Sequence, residues 1–190
     1  MWGSVLDEVA NVWTAARDAG HDLSLLNVGG GFPSFYGDVI EPPVVYGASV
    51  MRQVRARFGD VTVMAEPGRG MVADAGVIAA EVLLVSRKSD ADLHRWVYLD
   101  IGKFSGLAET MDEAIRYQFM TAHDDQPMGA CVLAGPSCDS ADVLYEKRPV
   151  ELPLALKAGD RILIRNTGAY TTTYSSVGFN GFPPLDVVVI

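Results

Sequence analysis

The sequence is poor in cysteine, histidine and basic residues. Two cysteines and three histidines occur in 190 residues, and Lys plus Arg number 15 against 24 for Asp plus Glu. Two cysteines seven residues apart, without a C-x-x-C spacing, predict neither a disulfide framework nor a metal site, and they favour a reducing, cytoplasmic compartment. The net charge of -9 and the lack of basic runs argue against nucleic acid or an anionic membrane as partner.

Long apolar runs are missing as well. No stretch approaches the roughly 20 apolar residues of a membrane-spanning helix. The N-terminal segment "MWGSVLDEVANVW" is acidic and helical in its periodicity, which is unlike a signal peptide. With 49% hydrophobic and 21% charged residues, the composition is that of an ordinary globular protein, and we expect a soluble, unprocessed chain.

The first 75 residues alternate between helical and strand-like patterns. An amphipathic helix is predicted over 4–19 and a second helix over 43–58, each followed by a short apolar strand, "LSLLNV" (23–28) and "VTVMAEPGR" (61–69). These are about two βα units, whereas a (β/α)₈ barrel needs eight. We therefore expect residues 1–75 to be the C-terminal part of such a TIM barrel, and the chain to be a C-terminal piece of a larger protein.

The pattern changes after residue 75. Short strand-like runs follow one another, separated by Gly, Pro and Asp turns, which predicts an antiparallel β-barrel or sandwich domain over 76–190. The segment "GLAETMDEAIRY" is ambiguous between a short helix and an ordered loop. The predicted strands are 76–88, 95–102, 113–119, 130–135, 142–147, 160–166, 169–176 and 185–190.

Two polar segments follow the strands of the first part. Gly29, Gly30 and Gly31 come directly after a strand, where unhindered backbone N–H groups can converge on a phosphate, although a triple glycine is also typical of a mobile turn. The next strand ends at Glu66, and Arg69 comes three residues later. The carboxylate could hold a proton on a heterocyclic nitrogen and the arginine could bind a phosphate, while the alternative is a tight turn with a surface ion pair.

The second part offers three further candidates. Cys138 lies between a Gly-Pro turn and Asp139, and nearby acids disfavour a thiolate, so the thiol is better suited to act as an acid than as a nucleophile. The alternative is a small residue after a turn. Asp100 ends a strand and could bind a cationic substrate or simply be a solvated turn residue. Tyr170 could donate to a phosphate or belong to the polar face of a strand.

Five segments in this order resemble one known family. They are "LLNVGGGFP", "AEPGRGMV", "VYLDIGKF", "GPSCDSADVL" and "NTGAYTTTYSSVGFNGF". Together they are similar to the C-terminal half of the fold-type III, pyridoxal-phosphate-dependent decarboxylases of ornithine, lysine, diaminopimelate and arginine, over essentially the whole chain. The resemblance implies a (β/α)₈ barrel followed by a β-barrel, and a homodimer with its active sites at the subunit interface.

The resemblance also implies a role for each candidate residue. Glu66 would pair with the pyridine nitrogen of pyridoxal 5'-phosphate, and Cys138 would deliver a proton to the substrate α-carbon. Asp139 and Asp100 would bind the distal ammonium of a basic amino acid. The remaining cofactor-binding residues, which would surround the phosphate, are Gly29, Gly30, Gly31, Gly68, Arg69 and Tyr170.

The Cys-Asp pair at 138–139 is the clue to the substrate. Diaminopimelate decarboxylases carry Cys-Glu at this place, so Cys-Asp favours a plain diamine product, and ornithine giving putrescine is expected ahead of lysine. The Schiff-base lysine of the family belongs to the N-terminal half. We therefore expect the isolated chain to be inactive without a complementary N-terminal fragment. The alternatives are a non-catalytic, decarboxylase-like regulatory or interaction protein, and a lysine or diaminopimelate decarboxylase.

Overall fold

The structure is a computed structural model that describes residues 2–190, and it contains two compact units. The first comprises the residues up to Pro33 together with Val39–Gly70, and the second comprises Ser34–Asp38 and Met71–Ile190. The chain thus changes unit after Pro33, again after Asp38, and for the last time after Gly70. The predicted division into domains at residue 75 stays a prediction.

The first unit consists of two helices and two short strands in alternation. These are α1 (Trp2–Asp18), β1 (Leu25–Asn27), α2 (Pro43–Phe58) and β2 (Thr62–Met64). The two strands pair in parallel, with Leu26 opposite Val63. The predicted helices and strands all form, although each strand is only three residues long.

The helices pack on one face of this small sheet. Side chains of α1, α2 and β1 form its core around Leu6, Leu26 and Val54, all nearly inaccessible to solvent. Because successive side chains of a strand point to opposite faces, Leu25 and Met64 lie on the other face, where 47% and 49% of their surfaces are exposed.

The second unit is a seven-stranded mixed sheet. Its order is β5-β9-β3-β4-β6-β7, and β8 also pairs with β6. Buried side chains of the strands themselves, among them Val97, Leu133 and Ile162, form most of the core of this unit. The strands are β3 (Val77–Ser86), β4 (Arg95–Leu99), β5 (Gln118–Thr121), β6 (Met128–Ala134), β7 (Val143–Leu144), β8 (Val150–Pro153) and β9 (Arg161–Arg165).

The expectation of a purely antiparallel sheet is wrong at one pair. Strands β4 and β6 run in parallel, with Trp96 opposite Val132 and Tyr98 opposite Ala134. The connection between them spans 100–127, and a connection of this length can carry the chain back to the starting end of the sheet, as parallel pairing requires. As a result, both strands end at the same edge of the sheet.

Two predicted strands do not form. In the segment 169–176 the structure has a 3₁₀ turn at Thr172–Tyr174, and Tyr170 has a positive φ of 56°. The hydroxyl of Thr171 donates to the carbonyl of Thr167 at 2.6 Å, a local bond that competes with strand pairing. The segment 185–190 is β-branched but has no strand partner within residues 2–190, and Val187–Ile190 are exposed.

Three other boundaries differ from the prediction. The ambiguous segment forms a kinked 3₁₀ helix at Ala108–Glu113, and the strand predicted from 113 begins only at Gln118. The run predicted at 142–147 pairs over two residues alone. The sequence does not predict strand β8, because Pro149 precedes it and Pro153 is its last residue, and prolines are typical of loops.

Two further features of residues 2–190 concern membranes and metal ions. No helix there is long and apolar enough to cross a membrane. No group of three or more His, Cys, Asp or Glu side chains there could hold a metal ion.

Candidate active site

The first cluster lies at the ends of the two parallel strands of the first unit. Asn27, the last residue of β1, donates from Nδ2 to Oε1 of Glu66 at 2.6 Å. Its Oδ1 accepts from the backbone N–H of Gly29 at 2.8 Å. The N–H of Glu66 donates to the carbonyl of Gly29, also at 2.8 Å. Three hydrogen bonds therefore join Glu66 to the start of the glycine loop.

The glycine loop needs glycine for two physical reasons. Gly29 and Gly31 have φ of 70° and 79°, a conformation that costs other residues energy. At Gly30 a Cβ would lie 2.9 Å from the carbonyl oxygen of Glu66, closer than side-chain carbons come to backbone. The loop is thus pressed against the strand end that carries Glu66.

Gly68 and Arg69 follow Glu66 directly. Gly68 has a φ of 42°, and Gly70 donates to the carbonyl of Pro67 at 2.9 Å, so the chain turns sharply after β2. Arg69 begins a single helical turn, α3 (Arg69–Val72), and is partly buried. Sequence reasoning named these residues but missed Asn27, whose only signal is an amide at the end of an apolar strand.

The second cluster lies in the second unit, in the loops that follow β4 and β6. Cys138 is exposed and has a φ of 59°, a left-handed conformation that is uncommon outside glycine. Asp139 is partly exposed, and its Oδ1 accepts from the N–H of Ala141 at 2.8 Å. The carbonyl of Ser137 accepts from Nδ2 of Asn180 at 2.7 Å. These bonds fix the backbone on both sides of the thiol.

Asp100 occupies the neighbouring strand end. It is exposed, and its Oδ1 accepts from the N–H of Glu81 at 2.8 Å. One carboxylate has more acceptor positions than this bond uses, so Asp100 can still bind a cation. Because β4 and β6 are parallel neighbours, Asp100 and the Cys138 loop leave the sheet at the same edge.

The two cysteines differ sharply in environment. Cys131 is fully buried, and burial raises the pKa of its thiol to about 11, despite the opposing charge of Arg95. A thiol of this kind neither ionises nor meets a substrate. Cys138 is therefore the cysteine available for chemistry.

Tyr170 lies beyond β9, after a close backbone crossing. Gly168 packs so tightly on the chain around Val72 and Gly76 that a Cβ at Gly168 would overlap the carbonyl oxygen of Val72. The N–H of Gly168 donates to the carbonyl of Ala73 at 2.9 Å. Tyr170 itself is 36% exposed, with its ring against that of Tyr174 at 5.7 Å.

The structure thus groups the predicted residues into two sets. Gly29, Gly30, Gly31, Glu66, Gly68 and Arg69 belong to the first unit, and Asp100, Cys138, Asp139 and Tyr170 belong to the second. Within each unit, the strand ends place the polar residues in the manner typical of sites in α/β proteins. The roles of the individual residues stay predictions.

Comparison with known proteins identifies the class. The family model "Pyridoxal-dependent decarboxylase, C-terminal sheet domain" matches residues 5–168. The chain therefore belongs to this family, and the resemblance seen in its sequence is confirmed. Ornithine, lysine and diaminopimelate decarboxylases all occur among its relatives.

Particular relatives show how far the likeness extends. Ornithine decarboxylase 2 of Drosophila melanogaster is 31% identical over 185 residues, which are 93% of this chain and 45% of the relative. Antizyme inhibitor 2 of Xenopus laevis is also 31% identical over 185 residues, 90% of this chain and 40% of the relative.

A solved structure gives the same result for the fold. The lysine/ornithine decarboxylase of Vibrio vulnificus, complexed with cadaverine, is 30% identical and superposes with a TM-score of 0.80 over 96% of this chain and 49% of that one. The chain spans less than half the length of the curated relatives named above.

Proposed function

We propose that this chain is the C-terminal portion of a pyridoxal-phosphate-dependent decarboxylase that converts a diamino acid, ornithine ahead of lysine, to the diamine and CO₂. The observation that carries the proposal is the hydrogen-bonded cluster joining Glu66 to the glycine loop at two parallel strand ends. In the proposed enzyme, β1 and β2 are strands of a (β/α)₈ barrel. Their exposed face, with Leu25 and Met64, then points into the barrel interior.

The residues at the first strand ends fit the cofactor. The close approach at Gly30 leaves a side-chain-free backbone surface, which suits a phosphate. Arg69 and Tyr170 would add donors to that phosphate, and Gly68 gives the turn its shape. Asn27 holds one carboxylate oxygen of Glu66, which leaves the other for the protonated ring nitrogen. Pyridoxal 5'-phosphate, when bound, supplies the electron sink for decarboxylation.

The loops of the second unit fit the substrate and the proton. Asp139 and Asp100 would hold the distal ammonium of the diamino acid by charge-assisted hydrogen bonds. Cys138, exposed on a fixed backbone, would deliver a proton to the α-carbon once CO₂ has left. In the proposed homodimer this loop serves the cofactor held by the partner subunit, and the Schiff-base lysine comes from the N-terminal part of the enzyme. The cytoplasmic location remains a prediction.

A chimera tests the proposal directly. The matching C-terminal portion of the Vibrio vulnificus lysine/ornithine decarboxylase is replaced by this chain, and CO₂ release is measured with ornithine, lysine and diaminopimelate. We expect release from ornithine and lysine, and little from diaminopimelate. A folded chimera that binds the cofactor but releases no CO₂ from any of the three would refute the proposal.

Matched variants of the chimera test the roles. Glu66→Gln removes the charge at the ring nitrogen and is expected to lower kcat, whereas Glu8→Gln, an exposed acid on α1, should change nothing. Cys138→Ala should lower kcat by about 10²- to 10⁴-fold, the usual contribution of a positioned acid. An unchanged kcat in both active-site variants would contradict the assigned roles, whereas a folded, cofactor-loaded chimera without activity would favour a non-catalytic protein.

A further inference from the structure

Asp142 is a buried acid whose side chain contacts two loops. Only 2% of its surface is exposed. Its Oδ1 accepts from the N–H of Lys103 at 2.7 Å, in the loop after β4. Its Oδ2 accepts from the hydroxyl and the N–H of Ser137, at 2.6 and 3.3 Å, in the loop after β6. One carboxylate therefore bridges two loops that are 34 residues apart in the sequence.

Two glycines make room for this carboxylate. A Cβ at Gly102 or at Gly135 would overlap the carboxylate oxygens of Asp142. Neither glycine is among those with positive φ, so their backbone conformation does not require glycine. Their purpose in this fold is to let the carboxylate approach, and the N–H of Gly135 also donates to the carbonyl of Asp142 at 2.8 Å.

The bridged loops are those that carry the proposed substrate and proton residues. The first loop begins with Asp100, and the second contains Cys138 and Asp139. Since β4 and β6 are parallel neighbours, both loops start at the same edge of the sheet, and nothing in the sheet itself fixes their spacing beyond that edge. The carboxylate of Asp142 supplies that fixed spacing.

We propose that Asp142 is a positioning residue, which sets the Cys138 loop against the Asp100 loop, with Gly102 and Gly135 as its required neighbours. The significance for catalysis rests on the proposed decarboxylase function, whereas the bridging itself does not. Asp139 and Asp142, three residues apart, then have separate roles: the first faces the substrate, and the second holds the loop.

Amide hydrogen exchange of the full 190-residue chain, followed by NMR, tests the bridge without any activity. In Asp142→Ala, the N–H groups of Lys103 and Ser137 should both exchange about tenfold faster or more, because each loses an acceptor that is buried with it. The N–H of Val82, which donates to the carbonyl of Asp160 within the sheet, should keep its rate. Asp139→Ala is the matched control and should speed exchange at the N–H of Ala141 alone, because Oδ1 of Asp139 is its acceptor.

A double-mutant cycle provides the sharper test. Gly102→Ala should speed exchange at Lys103 and Ser137 in the native background, because its Cβ displaces the carboxylate. In the Asp142→Ala background the same substitution should add almost nothing, since the obstructed group is gone. Ser137→Ala removes one hydroxyl only, so it should speed amide exchange in its own loop and leave exchange at Lys103 unchanged. This variant replaces Asp142→Ala in the test if Asp142→Ala does not fold.

The outcomes separate the two proposals. Equal effects of Gly102→Ala in both backgrounds, or unchanged exchange at both loops in Asp142→Ala, would overturn the positioning role. In the active chimera, Asp142→Asn should lower kcat while cofactor absorbance is retained. If the variant instead lost cofactor, and the sites that still held cofactor kept the native kcat, the positioning role would also be contradicted. A chimera without any decarboxylation refutes the proposed function alone, because the exchange result does not depend on it.

Discussion

Glu113 offers the clearest quantitative test of this fold. Only 7% of it is exposed. Its Oε1 accepts from the N–H groups of Lys147 and Arg148 at 2.7 and 3.1 Å. Its Oε2 accepts from Nε of Arg148 at 3.1 Å and from Arg116 at 3.3 Å. The hydrogen bonds of this one carboxylate thus connect the end of the 3₁₀ helix to the turn before β8.

The magnitude follows from these bonds. In Glu113→Gln the amide oxygen can still accept from the two backbone N–H groups. The amide nitrogen takes the place of Oε2, however, so the side chains of Arg148 and Arg116 lose their acceptor. Hydrogen bonds to charged groups contribute about 1.5–3 kcal/mol each. Because 63% of the Arg148 side chain and 30% of the Arg116 side chain are exposed, solvent weakens the ionic part. We expect a loss of about 2 kcal/mol in the free energy of unfolding at pH 7.

The pKa of Glu113 determines how the destabilisation by Glu113→Gln changes with pH. Burial alone raises the pKa of Glu113, but the hydrogen bonds from Arg148 and Lys147 and the charge of Arg116 together outweigh it, so the pKa lies below its ordinary value of 4.5. A carboxyl with a lowered pKa in the folded state stabilises the fold fully above its unfolded pKa and loses this contribution as the pH falls through the folded pKa. The difference between native chain and variant should therefore be full at pH 7 and shrink below pH 4.5.

Urea unfolding at several pH values measures this difference. The transition is followed by circular dichroism of the native chain and of Glu113→Gln, with Glu146→Gln, an exposed acid of the same region, as control. The control should match the native chain at every pH. If the destabilisation by Glu113→Gln stayed constant or grew towards low pH, the assigned role of the carboxylate would be wrong.

Two further predictions concern the glycine loop and the thiols. Gly30→Ala should weaken cofactor binding in the chimera at least tenfold, measured by absorbance titration, because its Cβ would lie too close to the Glu66 carbonyl. The control is Gly47→Ala in α2, where a Cβ has open space; this variant should stabilise the first unit by roughly 0.5–1 kcal/mol. In the folded chain at pH 8 a thiol reagent should modify Cys138 only, with Cys131 reacting after unfolding, and modification of both in native buffer would contradict the buried, high-pKa environment of Cys131.

The parts of the fold that could be predicted depend on local pattern. The periodicity of 4–19 and 43–58 and the apolar run before Gly29 predict the helices and strand that form. The hydroxyl-rich segment after Gly168 predicts a strand wrongly, since β propensity cannot show that the Thr171 hydroxyl donates to the carbonyl of Thr167. The parallel pairing of β4 with β6 likewise depends on a crossover that no local pattern reveals.

The residues of the candidate site also differ in how well the sequence predicts them. Glu66, Arg69 and Cys138 stand out in the sequence because turn residues and strand ends surround them. Asn27 does not stand out, because its importance comes from a hydrogen bond to Glu66, 39 residues away. Residues proposed to touch a substrate can be found from the sequence more readily than those that hold them in place.

Asp142 illustrates why this must be so. In "CDSADVL" its position is that of a polar residue opening a strand, and nothing nearby distinguishes it from Asp139. The distinction comes from the neighbouring parallel strand, which brings the N–H of Lys103 to within 2.7 Å of its carboxylate. Burying a carboxylate costs free energy unless hydrogen-bond donors surround it. Three donors and two glycines surround Asp142, which is the environment of a buried structural carboxylate and not of a surface acid. The same reasoning assigns the glycines at 102 and 135 to the proposed positioning of the two loops, because each leaves the space that the carboxylate of Asp142 occupies.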